Sequence, residues 1–511
     1  MNHGRQMFGF VKKCLIPRLE NIGAQIVMCH STATSQNPLS HKSYNKQVHT
    51  TYGQPTATTH PHLLKPGELV PGIKLDEFIF RRTKLVEHIL NDGYVGKASE
   101  NQHIVIIPSS TKLYMSEKIP YVFRQNTDFL YFTGCQEPDS VLVITANNDR
   151  FESTLFVRKK DPRSELWDGP TTGVEVAAEM FGVDKSYPIT EFELFINSLL
   201  HENGTNVIWY DNNDIIHPDI HKKILQVVKS IGNRTFLSPK TIFHDIRLIK
   251  SEAEIELMKK SCKIASAAIA KTIQVSKCDI SEHELFATVD YECRINGAEF
   301  LAYPPVVAGG KNANVIHYIT NNQIVHNGEM VLMDAGCEYR GYSSDITRTW
   351  PINGTFTSQQ RILYEVVLDV QKILIQQLKE FPTLDQIFYE MCRLLGIRLQ
   401  EVGLIPKNFS SDELLKAAFS YCPHHVSHYL GMDVHDSGKI SRNIKTQPGM
   451  IITVEPGIYV SPTNPLAPTE FHNLGIRIED DILIKEKTPV ILTESCPKEI
   501  DDIEALAKYN Q

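Results

Sequence analysis

Two stretches of the sequence share one pattern, Gly328-Glu-Met-Val-Leu-Met-Asp334-Ala-Gly336 and Gly449-Met-Ile-Ile-Thr-Val-Glu455-Pro-Gly457. Each has a glycine turn, an apolar run with strand character, an acid at the end of that run and a second glycine. The two stretches align without a gap. They are either a chance similarity or the two halves of a pseudo-symmetric domain whose acids converge at its centre.

A second acid follows each of these strands. Asp345 comes eleven residues after Asp334, and a glycine-bounded turn between paired strands would let both carboxylates face one point. Glu479 lies within another apolar stretch, and we predict single strands over 342–350 and 475–484. Buried carboxylates repel one another unless they are protonated or bound to metal. Arg348 is a candidate partner for one acid, and two divalent ions would balance the charge of all four.

Strand alternation predicts the direction in which the neighbours of Glu479 point. Arg477 and Glu479 are two residues apart and face the same side, whereas Asp480 is predicted to point away into solvent. A further ligand candidate lies in residues 423–435, which contain four histidines. This segment lacks the His-Glu-x-x-His pattern of a mononuclear zinc helix. One imidazole with four carboxylates is an oxygen-rich site that suits Mn²⁺, and less distinctively Co²⁺ or Zn²⁺.

Hydrophobic periodicity and turn residues divide the chain into three parts, residues 1–65, 70–245 and 250–511. Alternating helices and strands predict an α/β domain over 70–245. Mixed helices and strands predict an α+β domain over 250–511, which opens with a capping box at Ser251–Glu254. Strands of the first domain are predicted at His103–Pro108, Phe129–Phe132, Val141–Thr145, Thr154–Val157 and Asn206–Tyr210. Helices of the second are predicted from Ser251 onward and at Ser281–Asn296, Gln359–Leu378 and Leu384–Val402.

Composition limits the classes of function. The chain of 511 residues is 42% hydrophobic and 22% charged, which is ordinary for a globular protein. The net charge of −8 gives no electrostatic reason to expect nucleic acid as a partner. No apolar run reaches the length of a membrane span. The ten cysteines include no Cys-x-x-Cys pair and are interpreted as free thiols.

The first 65 residues differ from the rest of the chain. They carry seven Lys and Arg residues against a single acid, Glu20, and are rich in hydroxyl side chains. This composition resembles a mitochondrial transit peptide, and the alternative is an ordinary disordered tail. We therefore expect a mitochondrial protein, with a cytosolic form from another translation start left open.

Five motifs resemble, in order, those of the Xaa-Pro aminopeptidases, also called aminopeptidase P. They are Leu332-Met-Asp-Ala-Gly-Cys-Glu-Tyr339, Ser344-Asp-Ile-Thr-Arg-Thr-Trp350, Ser427-His-Tyr-Leu-Gly-Met-Asp-Val-His-Asp436, Thr453-Val-Glu-Pro-Gly457 and Gly475-Ile-Arg-Ile-Glu-Asp480. Residues 121–134 and 165–170 are similar to the N-terminal domain of that family. Residues 58–68 resemble its mitochondrial members.

The resemblance implies a pita-bread (creatinase/aminopeptidase-like) catalytic domain behind an aminopeptidase-P-type N-terminal domain. It also implies two divalent metal ions, most simply Mn²⁺, with Asp345 and Glu479 bridging them. Glu455 is similar to the general base, His317 and His435 to the imidazoles that hold substrate, and His424 to a further pocket histidine. The implied metal ligands are Asp334, Asp345, His428, Glu455 and Glu479.

The implied activity is release of one N-terminal residue from peptides or proteins with proline second, including trimming of imported mitochondrial proteins. A homo-oligomer is expected by resemblance. Prolidase, which cleaves dipeptides, uses the same ligands and remains an alternative, whereas the large N-terminal domain argues against a methionine aminopeptidase. A non-catalytic pita-bread binding module is the alternative from another class, and it would be expected to lose ligands that this chain keeps.

Overall fold

Side-chain caps begin five helices in the C-terminal part of the chain. In each, a Ser or Thr hydroxyl accepts a hydrogen bond from the backbone three residues later, and the Glu or Gln there accepts one from the cap residue's N–H. The box predicted at Ser251 is one of them and begins the helix Glu252–Val275. The five boxes are Ser251/Glu254, Ser281/Glu284, Thr357/Gln360, Thr383/Gln386 and Ser410/Glu413.

The computed structural model describes residues 51–91, 102–147, 150–201, 206–230 and 236–508. Most of the predicted transit segment, up to residue 50, lies outside these residues. Residues 51–65 are described, and Gln54 among them is buried. Its amide donates to the carbonyls of Leu69 and Gly134, at 3.4 and 3.1 Å. Residues 51–65, which by composition were grouped with the leader or disordered tail, therefore include a residue that packs against the N-terminal domain.

The N-terminal domain is built on a six-stranded mixed sheet, whose strands in spatial order are Phe236–Leu237, Asn206–Trp209, Gln102–Pro108, Val141–Ala146, Phe151–Val157 and Lys185–Pro188. Its strands are β1 (Glu68–Val70), β2 (Ile73–Lys74), β3 (Gln102–Pro108), β4 (Tyr114–Ser116), β5 (Ile119–Pro120), β6 (Val141–Ala146), β7 (Phe151–Val157), β8 (Lys185–Pro188), β9 (Asn206–Trp209) and β10 (Phe236–Leu237). Its helices are α1 (Leu75–Asn91), α2 (Thr127–Thr133), α3 (Pro162–Asp168), α4 (Val174–Phe181), α5 (Phe192–His201), α6 (Pro218–Ser230) and α7 (Lys240–Leu248). The predicted α/β alternation is thus confirmed.

One predicted strand of this domain, Phe129–Phe132, is wrong. These residues form the middle of α2, which begins where Asn126 accepts a hydrogen bond from the Phe129 N–H. The helix ends at Gly134, whose φ of 66° is left-handed. Because α2 is buried on nearly every side, its middle residues, Phe129–Phe132, are all apolar and show no helical periodicity. A short buried helix and a buried strand look alike in such a sequence.

The C-terminal domain mixes small antiparallel sheets with long helices, as an α+β domain does. Its strands are β11 (Ile280–Ser281), β12 (Phe300–Leu301), β13 (Val306–Gly309), β14 (Ile324–Val325), β15 (Met330–Ala335), β16 (Cys337–Tyr339), β17 (Tyr342–Ser343), β18 (Ile346–Pro351), β19 (Ile451–Val454), β20 (Gly457–Tyr459), β21 (Gly475–Arg477), β22 (Asp480–Leu483) and β23 (Val490–Ile491). Its helices are α8 (Glu252–Val275), α9 (Glu282–Ile295), α10 (Ser358–Gln377), α11 (Leu384–Glu401), α12 (Ser411–Tyr421) and α13 (Ile500–Ala507).

Two antiparallel strand pairs at the centre of this domain are interrupted in the same way. The predicted single strand over 342–350 is two strands, β17 and β18, with β18 pairing with β15. The predicted single strand over 475–484 is likewise β21, pairing with β20, and β22, pairing with β19. A Cβ atom on Gly336 would lie 1.7 Å from the Ser344 carbonyl oxygen, so the first interruption requires glycine there. Asp345 and Glu479 each lie at an interruption.

The two domains share one hydrophobic core. Phe132 and Phe243 of the N-terminal side belong to the same buried cluster as Leu430, Met432 and Ile451 of the C-terminal side. The cysteines that the structure describes are free thiols, as predicted. Among the helices that the structure describes, none has the length and apolar character that crossing a bilayer requires.

Candidate metal centre

Four acids meet at the centre of the C-terminal domain, where the two strand pairs change direction. Asp334 lies near the end of β15, Asp345 in the gap before β18, Glu455 directly after β19 and Glu479 in the gap before β22. All four line one cavity of about 630 Å³. The same cavity is lined by the four histidines that the resemblance singles out, His317, His424, His428 and His435.

His428 is the imidazole closest to the acids. Its Nε2 lies 3.3 Å from Asp345 Oδ2 and 3.7 Å from Glu455 Oε1. Potential ligand atoms of Asp345, His428 and Glu479 all lie within 4.8 Å of one another, a spacing that fits a shared metal ion. The backbone of His428 is held by β19, because the His428 N–H donates to the Thr453 hydroxyl and the His428 C=O accepts from the Thr453 N–H.

The acids carry more negative charge than the surrounding side chains neutralise. Burial, reinforced by the charges of Asp345 and the other acids, raises the pKa of Glu479 well above its usual range. Burial also raises the pKa of Glu455 to about 7. Burial would lower the pKa of His428, but Asp345 and Glu455 outweigh it and raise that pKa to about 9. Such a donor set suits divalent cations, which supply the missing positive charge.

Tyr303, Thr347 and Arg477 contact these acids, and sequence reasoning assigned a site role to none of the three. The Tyr303 hydroxyl oxygen lies 2.6 Å from Asp334 Oδ1 and 2.5 Å from Asp345 Oδ1. The Thr347 hydroxyl donates to Glu479 Oε2 at 2.7 Å. Arg477 donates through Nη2 to Asp334 Oδ2 at 2.6 Å. The only signal was strand alternation, which placed Arg477 on the same face as Glu479.

A hydrogen-bonded chain connects Arg477 to His424. Arg477 Nη1 donates to the Tyr459 hydroxyl at 2.7 Å, and that oxygen lies 2.9 Å from His424 Nε2. His424 Nδ1 lies 2.9 Å from the His425 carbonyl, which can only accept, so Nδ1 carries the proton and Nε2 accepts from Tyr459. Burial lowers the pKa of His424 to about 4. His424 is therefore neutral and held in a single tautomer.

His317 and His435 differ from the other two histidines because they are exposed at the cavity. The rings of His435 and His428 lie 4.6 Å apart at 71°. His317 follows the short turn that ends near Asn314. Both imidazoles can therefore reach a molecule bound in the cavity.

Asp480 corrects the prediction made from alternation. It is fully buried, with Arg348 Nη2 2.7 Å from Oδ1 and Lys498 Nζ 2.5 Å from Oδ2. The chain changes sheets between β21 and β22, so alternation cannot be extended from Arg477 to Asp480. Arg348, a candidate partner for the acids of the centre, pairs instead with Asp480.

Comparison with known proteins matches both halves of the chain. Residues 256–486 match metallopeptidase family M24, and residues 78–209 match the aminopeptidase P N-terminal domain. Xaa-Pro aminopeptidase 3 of Rattus norvegicus is 44% identical over 463 residues, covering 89% of this chain and 90% of the relative. The chain belongs to the Xaa-Pro aminopeptidase family, with a catalytic domain of the M24 metallopeptidase type. Intermediate cleaving peptidase 55, mitochondrial, of Arabidopsis thaliana is 39% identical over 468 residues, covering 92% of this chain and 90% of the relative.

A solved structure gives the same result for the fold. Zinc-substituted Escherichia coli aminopeptidase P in complex with product matches with a TM-score of 0.77 and 31% identity, covering 85% of this chain and 98% of that one. The predicted fold, an aminopeptidase-P-type N-terminal domain followed by a pita-bread domain, is confirmed. The Xaa-Pro aminopeptidase relatives and the M24 match together make the chain a metallo-aminopeptidase that acts on peptides and uses divalent metal. Asp345, His428 and Glu479 are a candidate metal site.

Proposed function

We propose that this M24 enzyme uses two metal ions to release the N-terminal residue from peptides with proline in second position. The observation that carries the proposal is the convergence of four acids and His428 on one cavity with two exposed histidines. We infer that Asp345 and Glu479, at the two strand interruptions, would each contribute a carboxylate to hold the ions. The five proposed ligands are Asp334, Asp345, His428, Glu455 and Glu479.

The donor set favours Mn²⁺, because it offers carboxylate oxygens and a single imidazole. Two bound divalent cations would polarise the scissile carbonyl and make a water molecule acidic. Glu455 would accept the proton of that water and return it to the leaving amine. The Thr453 hydroxyl, 3.4 Å from Glu455 Oε1, helps to hold this carboxylate at the cavity.

The exposed histidines would contact the substrate, and the hydrogen-bonded chain from Arg477 to His424 would hold the pocket around it. His317 and His435 are proposed to donate hydrogen bonds to the peptide and to the oxygen that gains charge during attack. His424 stays neutral and fixed by Tyr459, and we assign it a place in the wall of the pocket. Arg477 holds Asp334 in position by donating a hydrogen bond to its Oδ2.

The preference for proline is supported by the relatives, which are Xaa-Pro aminopeptidases in rat and in Escherichia coli. Proline contributes a tertiary peptide nitrogen without N–H, which a peptidase that needs this donor cannot use. The test compares kcat/KM for Xaa-Pro-Xaa, Xaa-Ala-Xaa and Xaa-Pro peptides with Mn²⁺-loaded enzyme. Faster release from Xaa-Pro-Xaa supports the proposal. Activity confined to Xaa-Pro would make the enzyme a prolidase, and no turnover with full metal content would make it a binding module.

We also propose residence in mitochondria and trimming of imported proteins. The basic, acid-poor residues before Thr51 support targeting, as does the mitochondrial designation of the Arabidopsis relative. We also propose that the two domains extend over residues 70–245 and 250–511, with α7 at the boundary between them.

A homo-oligomer is proposed as well. The hairpin β4–β5 and the neighbouring α3 expose large apolar side chains, which mark interaction surfaces when they are contiguous. These are Leu113, Tyr114, Met115, Ile119, Tyr121, Val122, Leu166 and Trp167. Light scattering on the purified enzyme and on a Trp167→Ser, Tyr114→Ser variant tests it: a wild-type mass of one chain would reject the oligomer.

A further inference from the structure

We propose that Arg247 is a positioning residue, which holds the loop carrying His435 in place and ties that loop to the N-terminal domain. This inference rests on the proposed function, because it acts through the substrate-holding role of His435. Arg247 lies in α7, between the two domains, and makes no contact with the acids of the metal centre that the structure describes.

Arg247 is buried and forms ion pairs with three carboxylates. Its Nη1 lies 2.7 Å from Asp128 Oδ1, in the first turn of α2 in the N-terminal domain. Its Nη2 lies 2.8 Å from Asp433 Oδ2 and also pairs with Asp436 Oδ1. Lys250 adds a second cation to Asp436 at 3.2 Å. A guanidinium can make several such bonds at fixed angles, which fixes the positions of its partners.

The two carboxylates of the loop lie on either side of His435 in the sequence. Asp433 precedes it by two residues and Asp436 follows it directly. Asp433 also accepts a hydrogen bond from the Thr127 hydroxyl at 2.7 Å, a second contact with α2. The Ser437 hydroxyl donates to the His244 carbonyl at 3.0 Å. The backbone on both sides of His435 is thus held by α2 and α7.

His428 is held by different contacts. It bonds through its backbone to Thr453, and Tyr429 next to it forms a bridge with Ile452 of β19. His435 has an exposed side chain, so its place at the cavity depends on the backbone that carries it. Weakening the Arg247 cluster should therefore displace His435 and leave metal binding by His428 intact.

The test is a double-mutant cycle between Arg247→Lys and His435→Ala, with kcat, KM and bound Mn²⁺ measured for each purified full-length enzyme. A lysine keeps the charge but loses the fixed fork of donors. We expect Arg247→Lys to lower kcat/KM by about 10-fold to 100-fold, the scale of a small misplacement, with wild-type metal content. In the His435→Ala background the same change should cost less than about 2-fold, because coupled residues are not additive.

A milder variant and a control complete the design. Asp433→Asn weakens the cluster at its solvent side and should show the same non-additivity, even if Arg247→Lys does not fold. Arg398→Lys changes an exposed pair with Asp369 of the same 2.7 Å length and should leave kcat/KM unchanged. If the losses of kcat/KM in the double variant are additive, or if metal is lost in proportion to activity, the role of Arg247 is rejected and the proposed function is unaffected. Wild-type turnover of His435→Ala would instead reject the proposed role of His435.

Discussion

Arg348 and Asp480 form an ion pair without solvent exposure, with Arg348 Nη2 2.7 Å from Asp480 Oδ1. Arg348 Nη1 also donates at 2.6 Å to the backbone carbonyl of Glu479, whose side chain is a proposed metal ligand. Lys498, Gln371 and Thr493 also donate to Asp480, at 2.5, 2.9 and 2.7 Å. The pair supports the strand interruption that presents Glu479 to the cavity.

Removing the charge of Asp480 should destabilise the protein. Asp480→Asn leaves the buried Arg348 and the partly buried Lys498 without their carboxylate, which costs about 3 kcal/mol or more. Urea denaturation measures the free energy of unfolding. Asp369→Asn is the matched control, since it breaks an exposed pair of equal length with Arg398 and should cost under about 1 kcal/mol. Equal effects of the two variants would contradict the structural role of Asp480.

Glu455→Gln should abolish most activity without unfolding the enzyme. An amide cannot accept the proton of the attacking water, so kcat should fall by at least about 100-fold, the scale of general-base loss. The variant should melt near the wild-type temperature and bind one metal ion more weakly. Exposed Glu470→Gln is the control and should be silent. A kcat near that of wild type would remove Glu455 from proton transfer.

The structure limits how much of the N-terminus can be removed. A variant that starts at Thr51 should keep wild-type kcat/KM and melting temperature, since no proposed site residue precedes His317. A variant that starts at Lys65 should melt lower, because it lacks Gln54 and leaves the carbonyls of Leu69 and Gly134 without their donor. Equal melting temperatures for the two would show that residues 51–64 contribute nothing to stability.

Residues 1–50 should be sufficient for import. A basic segment is drawn inward by the potential of the inner membrane, by about 2.3 kcal/mol per charge per 100 mV. A reporter fused behind these residues should be found in mitochondria, and the same fusion with its Lys and Arg residues changed to Gln should not. A cytosolic reporter together with mature protein that begins at Met1 would reject targeting and leave the catalytic proposal untouched.

Local signals predicted the elements that depend on local contacts. The box Ser251–Glu254 begins α8 because both partners lie within one turn. The apolar run of β15 with its terminal acid is equally local, and so is its repetition in β19. These features were sufficient to predict an α+β domain with converging acids.

Contacts between distant segments escaped prediction. Tyr303 lies 31 residues before Asp334 and 42 before Asp345, and nothing near it in sequence marks it as their partner. Asp480 was predicted wrongly because the chain changes sheets beside Glu479, which depends on pairing with β19 and β20. The helix α2 was missed because burial on nearly all sides removes the period that distinguishes a helix. Each case depends on tertiary packing.

We propose that the four acids of the metal centre and His428 act by holding two divalent ions, and metal titration tests this proposal most directly. Enzyme stripped by chelation, with metal loss verified by elemental analysis, is titrated with Mn²⁺ while release of the first residue from an Xaa-Pro-Xaa peptide is followed. We predict no turnover without metal, activity that rises with binding until two ions per chain are bound, and a weaker response in Glu479→Gln. Full turnover by verified metal-free enzyme, or saturation of activity at one ion per chain, would contradict it.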